Sequence, residues 1–265
     1  MNARVLYRLT LMNVMMTLEY RGAFLIYMFN AVVVPLIPLL IWLTVSAQGV
    51  ALPYDRSQFV TYYVMLGVVN VLAGVWLAEY LAQHIRLGTL SPWLLRPAPP
   101  IAHDIGNNLG EKIIKLPLLL PMVALAAVLF HADLRLPTAP QTWLLFLLAL
   151  VPAAVIAFLL DVIIGSLAFW VQDVEGVILF EKAIAGFLAG QFVPLALFPP
   201  TFSGFLAVQP FRFTLSFPLE ILTGSLSAAA TARGFASALA YCVILYAGYR
   251  LVWRYGLRAY AASGA

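Results

Sequence analysis

Residues 23–47 read AFLIYMFNAVVVPLIPLLIWLTVSA, a long run without a charged side chain. As an α-helix it would be about 37 Å long, and the hydrocarbon core of a bilayer is about 30 Å thick. A helix on the surface of a soluble protein needs a polar face, and this stretch has none. The stretch therefore predicts a helix that spans a membrane.

The composition extends this prediction to the whole chain. Of its 265 residues, 63% are hydrophobic and 10% are charged, and the mean hydropathy is +0.96. Soluble domains have about 25% charged and 45–50% apolar residues, because a globule needs a wetted exterior. We therefore expect an all-α, polytopic integral membrane protein that forms a single domain over residues 1–265.

Hydropathy favours six transmembrane helices, because six apolar runs approach the length of a span. They are residues 23–47, 59–78, 116–130, 142–170, 183–198 and 235–249. With both termini in the cytoplasm, only four of the fifteen Lys and Arg residues lie outside, namely Arg56, Arg135, Arg212 and Arg233. The positive-inside rule predicts this asymmetry, and we expect a bacterial-type inner membrane.

Three segments do not read as simple spans. Residues 1–22 carry apolar side chains at helical spacing with charges between them, which predicts an amphipathic helix on the inner leaflet rather than a cleavable signal. Residues 83–115 form the largest cytoplasmic loop. Residues 199–233 are apolar but interrupted by four prolines, so we expect a re-entrant cap on the outer side between the fifth and sixth helices.

Several kinds of chemistry are absent from the sequence. There is no G-x-x-x-x-G-K-[ST] phosphate loop, no H-E-x-x-H metal motif and no G-x-S-x-G elbow. The net charge of +4 is spread out, which argues against nucleic acid, and the single cysteine excludes an intrachain disulfide. We predict no catalytic residue, metal or cofactor in this chain. A lipid-modifying intramembrane enzyme and a non-transporting scaffold remain as alternatives.

The cytoplasmic loop contains the stretch RLGTLSPWLLRP at residues 86–97. Gly88 permits a sharp turn, and Ser91-Pro92 is a typical helix start, with a capping serine before a proline. The apolar side chains that follow suit docking into a groove on a partner. An ordinary interfacial turn anchored by Trp93 is the other interpretation.

This stretch resembles the type-2 ABC exporter permeases, particularly the branch of about 260-residue permeases that often occur as two paired subunits. The resemblance continues to the end of the chain. It is carried by Gly110-Glu-Lys112, Gln191-Phe-Val-Pro194, Phe198-Pro199, Gln209-Pro-Phe211, Phe217-Pro218 and Gly256-Leu-Arg-Ala-Tyr260.

The resemblance implies a permease that moves a hydrophobic or amphiphilic substrate outward. It implies a second permease subunit, identical or a paralogue, and an ABC ATPase dimer that binds the ATP and Mg. The loop at 83–115 would couple the ATPase to the second and third helices, and residues 199–233 would cap the outer mouth. The implied coupling residues are Arg86, Gly88, Thr89, Leu90, Trp93, Leu94, Leu95, Arg96 and Pro97.

Two further sets of residues stand out within the apolar runs. Gly186 and Gly190 form a G-x-x-x-G pattern that permits close helix packing, either within the subunit or at a dimer interface. Asn70, Asp161 and Gln191 are polar residues that could line a substrate pathway. A carboxylate in a span is costly, so Asp161 must face protein or water, and pairing within the protein is the alternative to substrate contact.

Overall fold

The computed structural model describes residues 3–19, 21–96 and 98–263, and all regular secondary structure in this part of the chain is helical. The α-helices are α1 (Ala3–Glu19), α2 (Arg21–Ala47), α3 (Arg56–Ala73), α4 (Ala78–Arg86), α5 (Ser91–Leu94), α6 (Pro100–Leu129), α7 (Pro140–Ser166), α8 (Glu175–Leu188), α9 (Ser203–Val208), α10 (Ser216–Leu222) and α11 (Ala228–Ser263). Four short 3₁₀ turns lie at Leu167–Phe169, Leu195–Leu197, Pro200–Phe202 and Pro210–Thr214. The predicted all-α class is confirmed.

Helix α3 lies at the centre of the bundle. It is buried on all sides over most of its length, and it packs against α2, α6, α7 and α10. Asp55 caps its N-terminus, and Gln58 completes a capping box. Two tyrosines of α3 donate hydrogen bonds to the chain beyond α8: Tyr62 to the carbonyl of Gly190 (2.9 Å) and Tyr63 to the carbonyl of Phe192 (2.9 Å).

The outer surfaces of the long helices are apolar. In α7, for example, Leu144, Leu147 and Val151 are each more than half exposed, as are Val243 and Ile244 of α11. Water-soluble monomers rarely expose contiguous apolar surface on this scale. These surfaces fit contact with lipid.

Three stretches of the described chain are long and apolar enough to cross a membrane: Arg56–Arg86, Pro140–Phe169 and Ala228–Tyr260. Helix α6 makes a fourth if its two parts, which are bent by 45° near Pro117, count as one span. The bend has a local cause, because proline removes a helical hydrogen bond. A shorter apolar helix covers Val33–Ala47. The predicted count of six spans is thus not confirmed by the described residues.

The predicted fifth span, residues 183–198, is wrong as a continuous helix. Helix α8 ends at Leu188, and Gly190 follows with a left-handed φ of 85°. The amide of Gly190 donates to the carbonyl of Phe187 and that of Gln191 to the carbonyl of Gly186, which is a Schellman ending. Pro194 then prevents the helix from resuming immediately.

Residues 199–227 fold into short helices and turns that return to the bundle, and residues 228–233, predicted as part of the same cap, belong to α11. In α10, Phe217 and Leu219 are fully buried, and the helix packs against α7. An ion pair between Arg212 and Glu220 (2.6 Å) joins two parts of this segment, with both side chains largely buried. The segment is therefore an integral part of the core rather than a free loop.

Candidate functional site

The segment Arg86–Arg96 follows α4 and contains most of the residues that the sequence singles out. Gly88 has a φ of 71°, so it makes the turn that the sequence predicts. Helix α5 begins at Ser91, one residue earlier than predicted, and the Ser91 hydroxyl does not cap it. This hydroxyl is instead hydrogen-bonded to the Tyr260 hydroxyl (2.8 Å), which ties the segment to α11.

Trp93 anchors the segment through its ring contacts. Its ring centroid lies 3.8 Å from that of His103 on α6 and 5.5 Å from that of His84 on α4. The guanidinium of Arg96 lies 5.4 Å from the centroid of the same ring, within cation–π range. These contacts connect α4, α5 and α6, so the short helix has a defined orientation.

The exposed apolar surface of the segment differs from the predicted one. Leu90 is only 3% exposed, because it packs into a cluster with Leu159 of α7 and Tyr249 of α11. Leu90 therefore cannot be part of a docking face, which corrects the prediction. The residues of its cluster on α7 and α11 are distant from it in the sequence. Leu94 is 37% exposed and Leu95 88%.

Leu87 is a third exposed leucine of the segment, although it is not among the residues selected by the sequence pattern. It is 67% exposed and lies on the other side of the Gly88 turn. We call Leu87, Leu94 and Leu95 the leucine surface.

The polar members of the segment make local contacts. Arg86 forms an exposed ion pair with Glu175 (3.3 Å) at the start of α8, a type of pair that contributes little to stability. The Thr89 hydroxyl lies 2.6 Å from Nδ1 of His84. Pro97 lies outside the described residues.

Asp161 is paired within the protein. One carboxylate oxygen accepts hydrogen bonds from the amides of Leu77 (2.6 Å) and Ala78 (3.2 Å), where α4 begins. The other accepts from Nζ of Lys182 on α8 (2.7 Å), and the Asp161 side chain is only 6% exposed. This is the structural pairing that the sequence leaves open as an alternative to substrate contact.

The three candidate pathway residues lie on different elements, Asp161 on α7, Asn70 on α3 and Gln191 in the turn after α8. Asn70 is half-buried near the C-terminal end of α3, and Gln191 is half-buried just beyond α8. Lys182, the partner of Asp161, lies in the middle of α8, well before Gln191. Within the described residues, no three His, Cys, Asp or Glu side chains lie close enough together to hold a metal ion.

Gly186 and Gly190 do not lie together on one helix, so their interpretation as a helix-packing motif is wrong. Gly190 lies beyond the end of α8, and a Cβ there would overlap the Ser216 hydroxyl. A Cβ at Gly186 would overlap the Phe192 ring. Both glycines make room for neighbours in their own chain.

A different G-x-x-x-G pattern, Gly106 and Gly110 of α6, brings two helices together. A Cβ at Gly106 would lie 2.9 Å from Cβ of Leu9, and one at Gly110 would lie 3.0 Å from the carbonyl oxygen of Thr10. Helix α1 therefore lies against the backbone of α6, with Asn13 buried between them. The spacing at 106–110 is as visible in the sequence as that at 186–190.

Comparison with known proteins agrees with this architecture. A search of curated proteins gives no match. The family model described as "ABC-2 family transporter protein" matches residues 14–264, which is nearly the whole chain. The match includes the segment Arg86–Arg96, the long apolar helices and the C-terminal part of α1. The chain thus belongs to the ABC-2 transporter family of membrane proteins.

Proposed function

We propose that the chain is the permease subunit of an ATP-driven exporter, with ATP and Mg bound and hydrolysed by a separate ABC ATPase dimer. The leucine surface is the observation that carries this proposal. Three exposed leucines lie on a segment held in place by Trp93 and by the Ser91–Tyr260 hydrogen bond. An oriented apolar surface of this kind suits a groove on a partner protein better than it suits water.

The proposed topology has six spans, with both termini and the leucine surface in the cytoplasm of a bacterial-type inner membrane. Helix α8 and the turns up to residue 198 together form the fifth span in this arrangement. Residues 199–233 then lie on the outer side. In α1, Tyr7, Leu11 and Met15 are exposed at helical spacing, which fits a helix lying on the inner leaflet.

The complete exporter contains a second permease, identical or a paralogue. A hydrophobic or amphiphilic substrate, moved outward, fits an apolar cleft between α2, α3 and α6 that is lined by residues such as Leu36, Val64 and Met122. Neither an intramembrane enzyme nor a scaffold would couple ATP hydrolysis in a partner to transport. Transport by the reconstituted complex therefore distinguishes the permease from both alternatives.

The test is Leu95→Asp in the permease purified together with its ATPase. A charge placed in an apolar contact should weaken the complex by about 2 kcal/mol or more, which is roughly a thirtyfold loss of affinity. The variant should insert normally, lose its ATPase during purification and fail to transport lipophilic dye in proteoliposomes supplied with ATP. Leu94 is less exposed than Leu95, and Leu94→Asp tests the same surface.

Leu136→Asp is the matched control. Leu136 is 39% exposed, close to the 37% of Leu94, and follows Arg135 on the proposed outer side. This control should retain the ATPase and transport. If Leu95→Asp and Leu94→Asp both behave like Leu136→Asp, the leucine surface does not bind the ATPase.

A further inference from the structure

The second predicted span is interrupted. Helix α3 ends at Ala73 and α4 begins at Ala78, with four residues of non-helical backbone between them. Val75 and Leu77 within this break are 6% and 5% exposed. Buried amides and carbonyls need partners, because lipid offers none.

Two charged side chains from other helices supply these partners. Lys112 of α6 donates to the carbonyl oxygen of Gly74 (2.8 Å), where α3 ends. Asp161 of α7 accepts from the amides of Leu77 and Ala78, where α4 begins. Each charge has the sign that its helix end favours, a cation at the C-terminus and an anion at the N-terminus. The break is therefore stabilised by the structure around it.

The same carboxylate joins three helices. Asp161 belongs to α7, binds the first amides of α4 and forms an ion pair with Lys182 of α8. One turn further along α7, a Cβ at Gly165 would lie 2.7 Å from the carbonyl oxygen of Ala78. The backbones of α4 and α7 are therefore closely packed at this point.

We infer that Asp161 is a positioning residue of the transport cycle, because it fixes the start of α4 to α7 and α8. This inference rests on the proposed function, because a segment Arg86–Arg96 that is bound to the ATPase would move with it during ATP hydrolysis. Helix α4 connects directly to that segment. Its movement is then passed to α7 and α8 at Asp161, and the break at 74–77 separates it from α3.

This path differs from the one expected from the resemblance, in which movement enters the second and third helices directly. A continuous second helix would transmit a push along its axis. The interrupted helix transmits the push less well, since the four non-helical residues 74–77 can absorb changes in their φ and ψ angles. The charge-assisted bonds of Asp161 provide the stiffer connection.

The test uses the full complex in proteoliposomes and compares wild type with the double variant Asp161→Asn, Lys182→Gln. The double change removes both charges of the pair, so neither is left buried without the other, and the permease should still fold. It removes the charge that strengthens the bonds to α4. We expect ATP hydrolysis to persist while the substrate transported per ATP falls roughly tenfold, the loss expected from weakened charge-assisted hydrogen bonds.

Arg212→Gln, Glu220→Gln is the matched control, because it neutralises another largely buried ion pair, in which both residues belong to the segment between α8 and α11. Its ratio of transport to hydrolysis should equal that of wild type, whatever stability it loses. An unchanged ratio in the Asp161 double variant, or an equal fall in the control, would overturn the inference.

A second measurement keeps the inference testable if the double variant does not fold. It uses protein in which Asp161 and Lys182 are unchanged. Spin labels at Gln83 of α4 and at Leu179 of α8, both exposed and outside the leucine surface, should keep their separation when ATP is added. A shift of several ångströms would show that α4 moves independently of α8, contrary to the inference. Failure of the proposed function looks different, because the wild-type complex itself would then not transport.

Discussion

The contact between α1 and α6 leads to a quantitative prediction for Gly106→Ala. The new Cβ would lie 2.9 Å from Cβ of Leu9 and 3.3 Å from the amide nitrogen of Thr10. Carbon atoms in contact prefer about 3.5–4.0 Å, so α1 must retreat by about 0.6–1.1 Å. Overpacking of this kind costs about 1–3 kcal/mol. The backbone atoms of α1 in this contact cannot rotate away as a side chain could.

Gly248→Ala in α11 is the control, because it makes the same change in a helix with enough space. The nearest atom to its Cβ would be Cδ1 of Ile163 at 3.8 Å, an ordinary contact distance. Replacing glycine by alanine inside a helix gains about 0.8–1.0 kcal/mol from helix propensity alone. Both variants receive this gain, so the difference between them isolates the overpacking of about 1–3 kcal/mol.

The assay is thermal unfolding of the detergent-solubilised permease, followed by tryptophan fluorescence, together with trypsin cleavage after Arg8. Gly106→Ala should unfold at a lower temperature than Gly248→Ala and be cleaved faster, because α1 separates from α6 more easily. Gly106→Leu should exaggerate both effects. If Gly106→Ala is as stable as Gly248→Ala and is cleaved no faster, the helices do not approach as closely as described.

Two further predictions concern the end of α8 and the topology. Gly190→Ala should destabilise the permease by about 1–2 kcal/mol from its left-handed backbone alone, and by more where the methyl group meets Ser216; a melting temperature equal to that of wild type would contradict this. In a Cys242→Ser background, a cysteine at Thr138 should react with an impermeant maleimide in intact cells, and a cysteine at Leu95 should not react. The reverse labelling pattern would show that the orientation is opposite to the proposed one.

The sequence predicts the helical class and the positions of most helices, because both depend on local hydropathy. Residues 23–47 lie within α2, and residues 142–170 match α7 with its following 3₁₀ turn. The turn at Gly88 is also predictable, since few other residues adopt its backbone angles. These features need no knowledge of distant contacts.

Features that depend on distant partners are not predictable in this way. Leucines 90, 94 and 95 look alike in the sequence, yet Leu90 is buried in a cluster that includes Leu159 of α7 and Tyr249 of α11. The break in the second span is signalled only by Gly74. Its partners, Lys112 and Asp161, lie on two other helices.

The two G-x-x-x-G patterns show why spacing alone does not identify a helix contact. Both pairs have the same separation. The residues after Gly110 continue α6, whereas α8 ends before Gly190, and Pro194 follows. A glycine pair can pack another helix only if the helix runs through both. Helix α6 runs through both Gly106 and Gly110. Two residues after Gly110 lies Lys112, which donates a hydrogen bond to the carbonyl of Gly74 at the end of α3. The position of α1 and the break in the second span therefore depend on the same turns of α6, so a displacement of α1 should also be transmitted to Gly74.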